Sequence, residues 1–356
     1  MRLTSLAPLC RECRYALSLD PYGKGCGFNC AYCYARSGLQ SSGYWKPETP
    51  APLDINSVRR LFYTVFETDR RSPWRRILER RVPIRIGYAT DPLMPLEREL
   101  GITRELLRLL AFYRYPHIVT TKSDLIADDE YLALLDKDLC AVQITITTLD
   151  ERLARALEGT APPPRERLRA AAALSRQRIW TAVRLTPLFP VYPDGYFTDP
   201  AFPDRDRAPS LEVFTWDIVP AICAEGIPAV VAGFGFFSGT VLDTISSALH
   251  QDLRPFFRQK GSDGLYRYSG AEQRYYYRRL HDQCAEQGAE FSVCYIGSGD
   301  ECRAENRDLW ADPHDCCNIR GKVKAFETDA GSIERRQAFS IWWRTLLDAV
   351  ATRSYY

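Results

Sequence analysis

Three cysteines lie close together in the stretch "DPYGKGCGFNCAYCYAR" (20–36), where Cys26, Cys30 and Cys33 are spaced C-x3-C-x2-C. Thiolates are ligands for zinc and for iron–sulfur clusters. A structural zinc site usually takes four protein ligands, often from two separated pairs. Three adjacent thiolates suit a four-iron, four-sulfur cluster in which one iron has no protein ligand and can bind a small molecule. The loop therefore predicts a metal centre, and we favour the cluster over zinc.

A second group of cysteines lies towards the C-terminus of the printed sequence and includes Cys294, Cys302, Cys316 and Cys317. Three interpretations stay open for this group. Its thiols could ligate a second metal centre, as an auxiliary iron–sulfur cluster or as a zinc site that includes His314. One thiol could donate a hydrogen atom to a product radical. The cysteines could also be unligated residues of a loop.

The elements that must position these thiols follow from apolar runs and helical patterns. Seven runs predict strands at 15–20, 83–89, 116–122, 140–148, 179–188, 227–236 and 289–297. Helical patterns occur at 55–66, 104–112, 129–135, 165–176, 211–224, 240–250 and 332–350. A capping box, "SGAE" from Ser269 to Glu272, predicts the start of one more helix.

Strands that alternate with helices predict a parallel sheet of βαβ units, here a partial or full (β/α) barrel. Such a barrel places its chemistry at the carboxyl ends of the strands. The cysteine loop follows the first strand and falls on that face. We predict an N-terminal segment at 1–14, the barrel at 15–252, and a cysteine-containing C-terminal extension at 253–356 that covers the active-site face.

Composition sets limits on function. The 356 residues carry a net charge of only +2, so no general attraction to polyanions is implied. No apolar run approaches the roughly 20 residues of a membrane helix, and the first residues have no apolar signal-peptide core. Twelve cysteines favour metal ligation over disulfides in a reducing compartment. The expected location is the cytoplasm, without a membrane partner.

The cysteine motif, with the aromatic Tyr32 before its last cysteine and a position after the first strand of a barrel, resembles the radical S-adenosylmethionine enzymes. The resemblance implies a four-iron cluster on Cys26, Cys30 and Cys33, whose open iron chelates S-adenosylmethionine. One electron, delivered by an external donor such as a flavodoxin or ferredoxin, then cleaves this cofactor. The resulting 5′-deoxyadenosyl radical abstracts hydrogen from a substrate.

The resemblance also implies which residues hold the cofactor. Tyr32 would pack on its adenine, and Lys122 would meet its carboxylate. The other candidates for cofactor binding lie after successive strands and are Thr90, Asp91, Ser123, Thr145, Arg184 and Gly233.

Several blocks, "TDPLMPLERELGITRELL", "TTKSDLI" and "ITITTLDERLARALEGTAPPPRERL", are similar to the spore photoproduct lyase-like branch. Tyrosines flank the last cluster cysteine in that branch, as Tyr32 and Tyr34 do here. The branch has a hydrogen-donating cysteine where this sequence has Tyr88. A phenol is a slower donor to a carbon radical than a thiol, so we expect another substrate, a small molecule or nucleoside-like compound. Tyr34 and Tyr88 are the candidates for substrate contact or radical quenching.

Two alternatives stay open. The first is a nucleic-acid lesion lyase, because nine arginines against three acids at 59–85, and "RYYYRR" at 274–279, could bind phosphates and stack on bases. We favour solvated helix faces for these segments because the net charge is small. The second alternative is a zinc or structural iron–sulfur binding module that uses the arginine-rich face.

Overall fold

Seven strands form one parallel sheet in this computed structural model. The structure describes residues 15, 17–36, 45, 49–188, 216–250, 252–254, 256–257, 259–294 and 306–326. The strands are β1 (Leu17–Leu19), β2 (Ile84–Ile86), β3 (His117–Thr121), β4 (Cys140–Thr145), β5 (Trp180–Leu188), β6 (Ala229–Phe234) and β7 (Glu290–Val293). They stand side by side in chain order, which confirms the predicted (β/α) architecture as a partial barrel.

Helices connect the strands and cover one face of the sheet. They are α1 (Ile55–Phe66), α2 (Arg75–Glu79), α3 (Glu97–Leu100), α4 (Ile102–Phe112), α5 (Asp129–Leu132), α6 (Glu151–Glu158), α7 (Pro164–Arg176), α8 (Ile218–Ala224), α9 (Gly239–Leu249) and α10 (Gly270–Glu286). The predicted capping box is present at the start of α10. The predicted helix at 332–350 and the segment 1–14 lie outside the described residues. None of the described helices is long and apolar enough to cross a membrane.

The two faces of the sheet differ in chemistry because strand side chains alternate. Leu17, Ile84 and Val142 belong to the large core that the helices cover. The opposite, inner face carries polar side chains such as Arg85 and Gln143, both almost fully buried. The inner face therefore holds charge away from bulk water, and its polar groups must find partners within the fold.

The described part of the C-terminal extension, residues 306–326, packs on this inner face from the end where the strands begin. The indole of Trp180, the first residue of β5, donates to the carbonyl of Asn318 at 2.6 Å. The Asn318 amide donates to Glu290, the first residue of β7, at 2.9 Å. The expectation that the extension covers the active-site face is therefore wrong for residues 306–326. Apolar side chains, which include Cys316 and Cys317, seat the segment against the strands instead.

Asp315 anchors that segment, and its replacement by alanine tests the arrangement. The fully buried carboxylate accepts hydrogen bonds from the Tyr15 hydroxyl at 2.5 Å and from the N–H groups of Cys317, Ile319 and Arg320. Asp315→Ala leaves these donors unsatisfied, so we expect a loss of about 3 kcal/mol in the free energy of unfolding of the apoprotein. Urea denaturation measures this loss.

Asp308→Ala is the matched control. Asp308 lies in the same segment, but its carboxylate is exposed where it pairs with Arg274 at 2.6 Å. An exposed ion pair contributes less than about 1 kcal/mol. Equal losses in the two variants would show that Asp315 is not the anchor.

Candidate active site

The cysteine loop leaves the carboxyl end of β1 and is folded by its own backbone. The N–H of Asn29 donates to the carbonyl of Cys26 at 3.3 Å, and the N–H of Cys33 donates to the carbonyl of Cys30 at 3.2 Å. The three thiols are close enough to act on one another electrostatically. Burial raises the pKa of Cys26 to about 12 and that of Cys30 further. The predicted cysteines are therefore brought together as one thiol set.

The end of helix α6 is hydrogen-bonded to this loop. The N–H of Ala31 donates to the carbonyl of Leu157 at 2.8 Å, and the Thr160 hydroxyl donates to the carbonyl of Gly27 at 2.8 Å. Between these contacts Gly159 has a φ of 55°, and a Cβ on it would lie 2.3 Å from the carbonyl oxygen of Phe28. Only glycine allows this approach. The sequence "LEGT" thus fixes where the cluster loop lies.

A buried charge network continues from the same helix end. The Glu158 carboxylate accepts hydrogen bonds from the hydroxyl of Tyr32 and from that of Thr147, the latter at 3.0 Å, and it forms an ion pair with Arg167. Burial alone would raise the pKa of Glu158, but Arg167 and Lys122 together lower it. The ammonium of Lys122 lies 5.4 Å from the centre of the Tyr32 ring. Tyr32 and Lys122, both predicted cofactor residues, therefore lie together beside Cys30.

The ionic state of Lys122 follows from the groups around it. Burial acts to lower its pKa, whereas the neighbouring Cys30, Glu158 and Asp91 raise it, and the net shift is upward. Lys122 is therefore a cation at neutral pH. A half-buried ammonium beside the thiol loop is suited to bind a carboxylate.

The loop after β2 is hydrogen-bonded to Asp20, the first residue after β1. Its carboxylate accepts hydrogen bonds from the N–H groups of Tyr88 at 2.6 Å and Ala89 at 3.0 Å. The Tyr34 hydroxyl donates to the carbonyl of Tyr88, and the two tyrosine rings lie 6.2 Å apart, edge to face. The tyrosines predicted for substrate contact thus form a pair, and 46% of the Tyr34 surface is exposed.

Three predicted cofactor residues have structural partners in these loops. The Thr90 hydroxyl donates to the carbonyl of Tyr22. Asp91 accepts hydrogen bonds from the Thr121 hydroxyl and the Lys122 N–H, both at 2.7 Å. The Ser123 hydroxyl accepts from the N–H of Leu125 and caps the 3-10 helix Asp124–Ala127. Thr90 thus joins the loop after β2 to the loop after β1, Asp91 joins the loops after β2 and β3, and Ser123 holds its own loop, so each has a role without any ligand.

The remaining predicted residues lie further round the sheet. Thr145 ends β4, is almost fully buried, and offers its carbonyl to Arg167 at 3.0 Å. A Cβ on Gly233 would lie 3.2 Å from the Thr186 hydroxyl, so this glycine lets β6 pack closely against β5. The structure therefore does not group Gly233 with the cysteine loop.

Arg184 lies on the inner face of the sheet. Its guanidinium donates to the side-chain oxygen of Gln143 at 2.9 Å and to the sulfur of Cys294 at 3.1 Å. Arg85 donates to the same Gln143 oxygen at 3.2 Å and to the sulfur of Cys317 at 3.0 Å. Cys294 and Cys317 are thus hydrogen-bonded to arginines.

The hydrogen bond from Cys316, with the nearby Arg85, lowers the pKa of Cys317 to about 6. Cys302 lies outside the described residues. Within the described part of the chain no three His, Cys, Asp or Glu side chains are arranged to hold a single metal ion. The second metal centre therefore stays a prediction.

The donor set fits an iron–sulfur cluster in its chemistry and its setting. Three thiols project from one loop, and soft thiolates select iron–sulfur clusters or zinc. The thiols of a cluster each ligate a different iron, so they need not converge on one point as the ligands of a single ion do. The N–H of Arg36 donates to the sulfur of Cys33 at 3.3 Å. Such hydrogen bonds to sulfur are among the features that set a cluster's potential.

A parallel (β/α) sheet with a three-thiol loop after its first strand places, at the carboxyl ends of the strands, a thiol set that suits an iron–sulfur cluster. The model of the radical SAM superfamily matches residues 21–199 of the sequence. The chain therefore belongs to the radical SAM superfamily and is a radical SAM enzyme, and the family implies a four-iron cluster and S-adenosylmethionine.

Known proteins resemble the chain at two levels. The uncharacterized protein ORF301 of Acidianus two-tailed virus is 26% identical over 176 residues, 47% of this chain and 54% of that protein. The chain thus spans about half the length of that curated relative.

Spore photoproduct lyase with a dinucleoside spore photoproduct matches the structure with a TM-score of 0.53 at 12% identity, over 77% of this chain and 76% of the lyase. A mutant lyase with bound AdoMet and the same lesion gives 0.56 at 12% identity, over 83% and 79%. These structures show a shared fold.

Sequence reasoning missed Asp20, Glu158 and Arg167. A signal for Glu158 exists, because it follows Ala154 by four residues and so falls on the buried face of α6. A carboxylate on an apolar face predicts a buried partner. Asp20 gives no such signal, since an aspartate after a strand is ordinary loop composition.

The proton of Asp20 gives a pH prediction. Burial raises the pKa of its carboxyl from 3.8 to about 6, against the hydrogen bonds from the loop after β2. Between pH 3.8 and about 6, the carboxyl of Asp20 therefore keeps its proton in the folded apoprotein and loses it in the unfolded chain. The stabilising contribution is fully present below pH 3.8 and is lost as the pH rises through about 6.

Asp20→Asn removes the titrating group. We expect the unfolding free energy of the wild type, relative to that of Asp20→Asn, to fall as the pH rises from about 4 to about 7. Urea denaturation of both apoproteins across this range measures the difference. A difference that stays constant or increases with pH would contradict the assignment.

Proposed function

We propose that this enzyme generates a 5′-deoxyadenosyl radical and uses it to abstract hydrogen from a small-molecule or nucleoside-like substrate. The observation that carries the proposal is the thiol set of Cys26, Cys30 and Cys33, placed on one loop at the carboxyl end of β1. When bound there, a reduced four-iron cluster supplies the electron that cleaves S-adenosylmethionine. The protein binds, orients and shields these groups.

The residues that would hold S-adenosylmethionine are those beside the thiol loop. Lys122 is a half-buried cation in electrostatic contact with Cys30 and is suited to the cofactor carboxylate. Tyr32 is held by Glu158, and its ring offers an apolar surface for adenine. Thr90 and Asp91 would act by fixing the loop that borders the site.

The substrate would meet the tyrosine pair. Tyr34 is the exposed aromatic side chain of the loop, and the Tyr34–Tyr88 pair lies between Asp20 and the thiols. Arg184 acts electrostatically on Tyr34 from the inner face of the sheet. A substrate at this position would touch phenols, a carboxyl group and a guanidinium, a mixed polar lining that suits a small polar molecule.

The structure gives little support to nucleic acid as the substrate. Five of the nine arginines at 59–85 have partners within the protein, although Arg59, Arg60 and Arg81 are exposed. Arg59, Arg60 and Arg75 pair with acids, Arg81 lies over aromatic rings, and Arg85 is buried on the inner face. These contacts favour a small substrate over the lesion-lyase alternative. Membership of an enzyme superfamily leaves the binding-module alternative without support.

The segment "RYYYRR" lies in α10 and is likewise used inside the fold. Tyr276 and Tyr277 are buried, Arg274 pairs with Asp308, and the Arg279 guanidinium lies 4.1 Å from the centre of the Trp216 ring. These side chains pack the helix against its neighbours. DNA retention that falls with rising salt would revive the lesion-lyase alternative.

Three further parts of the proposal rest on the family or on the sequence alone. An electron must come from an external donor such as a flavodoxin or ferredoxin. A cytoplasmic location would supply that donor and keep the thiols reduced. A second metal centre on the C-terminal cysteines would double the iron content.

Cys30→Ala tests the proposed function. Anaerobic reconstitution of the wild type should give about four irons per chain and a broad absorption band near 400 nm, with reductant-dependent release of 5′-deoxyadenosine. About eight irons would indicate a second cluster. Cys30→Ala removes a ligand, so we expect iron, absorption and nucleoside release to be lost together.

Cys284→Ala is the matched control, because Cys284 is a buried cysteine on the core-facing side of α10. It should keep the iron content and the nucleoside release of the wild type, at some cost in stability. Full nucleoside release by Cys30→Ala would contradict the proposal.

A further inference from the structure

A buried ion pair adjoins the cluster loop. The side chains of Glu158 and Arg167 are each 1% exposed. Arg167 also donates to the carbonyls of Pro162 and Thr145, at 2.7 and 3.0 Å, so all parts of its guanidinium are engaged. Glu158 is engaged by Tyr32, Thr147 and Arg167. The network is therefore satisfied and held in one geometry.

Stability alone does not explain these charges. Burying an ion pair costs desolvation energy that its attraction often fails to offset, and an apolar pair of similar volume is commonly as stable or more so. The network instead links two features of the cluster loop. Tyr32, between two cluster cysteines, bonds directly to Glu158, and the charges of Glu158 and Lys122 both act on the thiol of Cys30.

Charge near a cluster has a defined effect on its reduction. Reduction adds an electron, so a neighbouring carboxylate disfavours the reduced form and a neighbouring cation favours it. In the low-dielectric interior these effects are larger than in water. Lys122 and Arg167 therefore act in one direction on the cluster site, and Glu158 acts in the other.

We propose that Glu158 is the positioning residue of the cluster loop. Its carboxylate fixes Tyr32 by accepting the hydrogen bond of the tyrosine hydroxyl, and its charge lowers the reduction potential of the cluster on Cys26, Cys30 and Cys33. The inference rests on the proposed function, since it requires that a cluster is bound there. It assigns to one carboxylate both the geometry of the loop and the ease with which its cluster takes up an electron.

Glu158→Gln tests the electrostatic role, because glutamine keeps the size of the side chain and removes its charge. The reconstituted proteins are titrated with reductant at controlled potential, and the electron paramagnetic resonance signal of the reduced cluster is followed. At a fixed potential we expect the ratio of reduced to oxidised cluster to rise about tenfold, a shift of about 59 mV for a one-electron couple.

Glu97→Gln is the matched control. Glu97 is also 1% exposed, and it also bonds to tyrosine hydroxyls, those of Tyr22 at 2.5 Å and Tyr131 at 2.7 Å. It also caps the start of α4, where it accepts hydrogen bonds from the N–H groups of Thr103 and Arg104. Both variants should lose stability, but only Glu158→Gln should change the potential, which a merely structural role would not move.

Tyr32→Phe keeps the test decisive if Glu158→Gln does not fold. It removes the bond to Glu158 and retains the ring, so the loop of the apoprotein should open more often. Cys30 is only 8% exposed in the folded wild type, so its alkylation should become several-fold faster in the variant. Tyr131→Phe, which breaks a bond to Glu97, should leave that rate unchanged. An alkylation rate in Tyr32→Phe equal to that of the wild type would overturn the positioning role.

The failure of this inference is distinguishable from failure of the proposed function. If wild type and Glu158→Gln both bind four irons and have the same midpoint potential, the role of Glu158 is overturned and the proposed function stands. If the wild type binds no cluster under reconstitution, the proposed function fails, and the inference fails with it.

Discussion

The contact between the end of α6 and the cysteine loop is the constraint on which the site depends. Backbone bonds from Ala31 to Leu157, the close approach at Gly159 and the bond from Tyr32 to Glu158 all act within a few residues of the thiols. Helix α6 follows β4, whereas the loop follows β1. The contact therefore joins the loop of the edge strand to the helix after the central strand, and the sheet must be assembled before the thiols are correctly placed.

The two ends of the sheet have different tasks. At the carboxyl ends of β1 to β4, loops bond to one another through Asp20, Asp91 and Glu158, and they surround the thiols with charges of both signs. At the other end, residues 306–326 pack against the strand starts and bring Cys317 into contact with Arg85. Between the two ends, Arg85, Arg184, Gln143 and two thiols of the polar inner face are hydrogen-bonded to one another.

The fold could be predicted from the sequence because each strand is a short apolar run and several helices begin at a capping side chain, as α1 does at Asp54 and α10 at Ser269. The helix 55–66 was predicted with the bounds of α1, and the capping box of α10 is present. The thiol loop could be predicted because its residues are adjacent. Partners such as Glu158 and Arg167, or Arg85 and Cys317, could not, since they meet only through the packing of distant elements. The predicted position of residues 306–326, over the active-site face, was wrong for the same reason.

The bond between Tyr15 and Asp315 joins residues 300 positions apart. Protein synthesis proceeds from the N-terminus, and contacts of long sequence separation form late. The thiol loop, helix α6 and all seven strands precede residues 306–326 in the chain, so they are synthesised before the segment that packs on the polar inner face. Until residues 306–326 pack against the sheet, the guanidinium of Arg85 lacks its partner, the sulfur of Cys317.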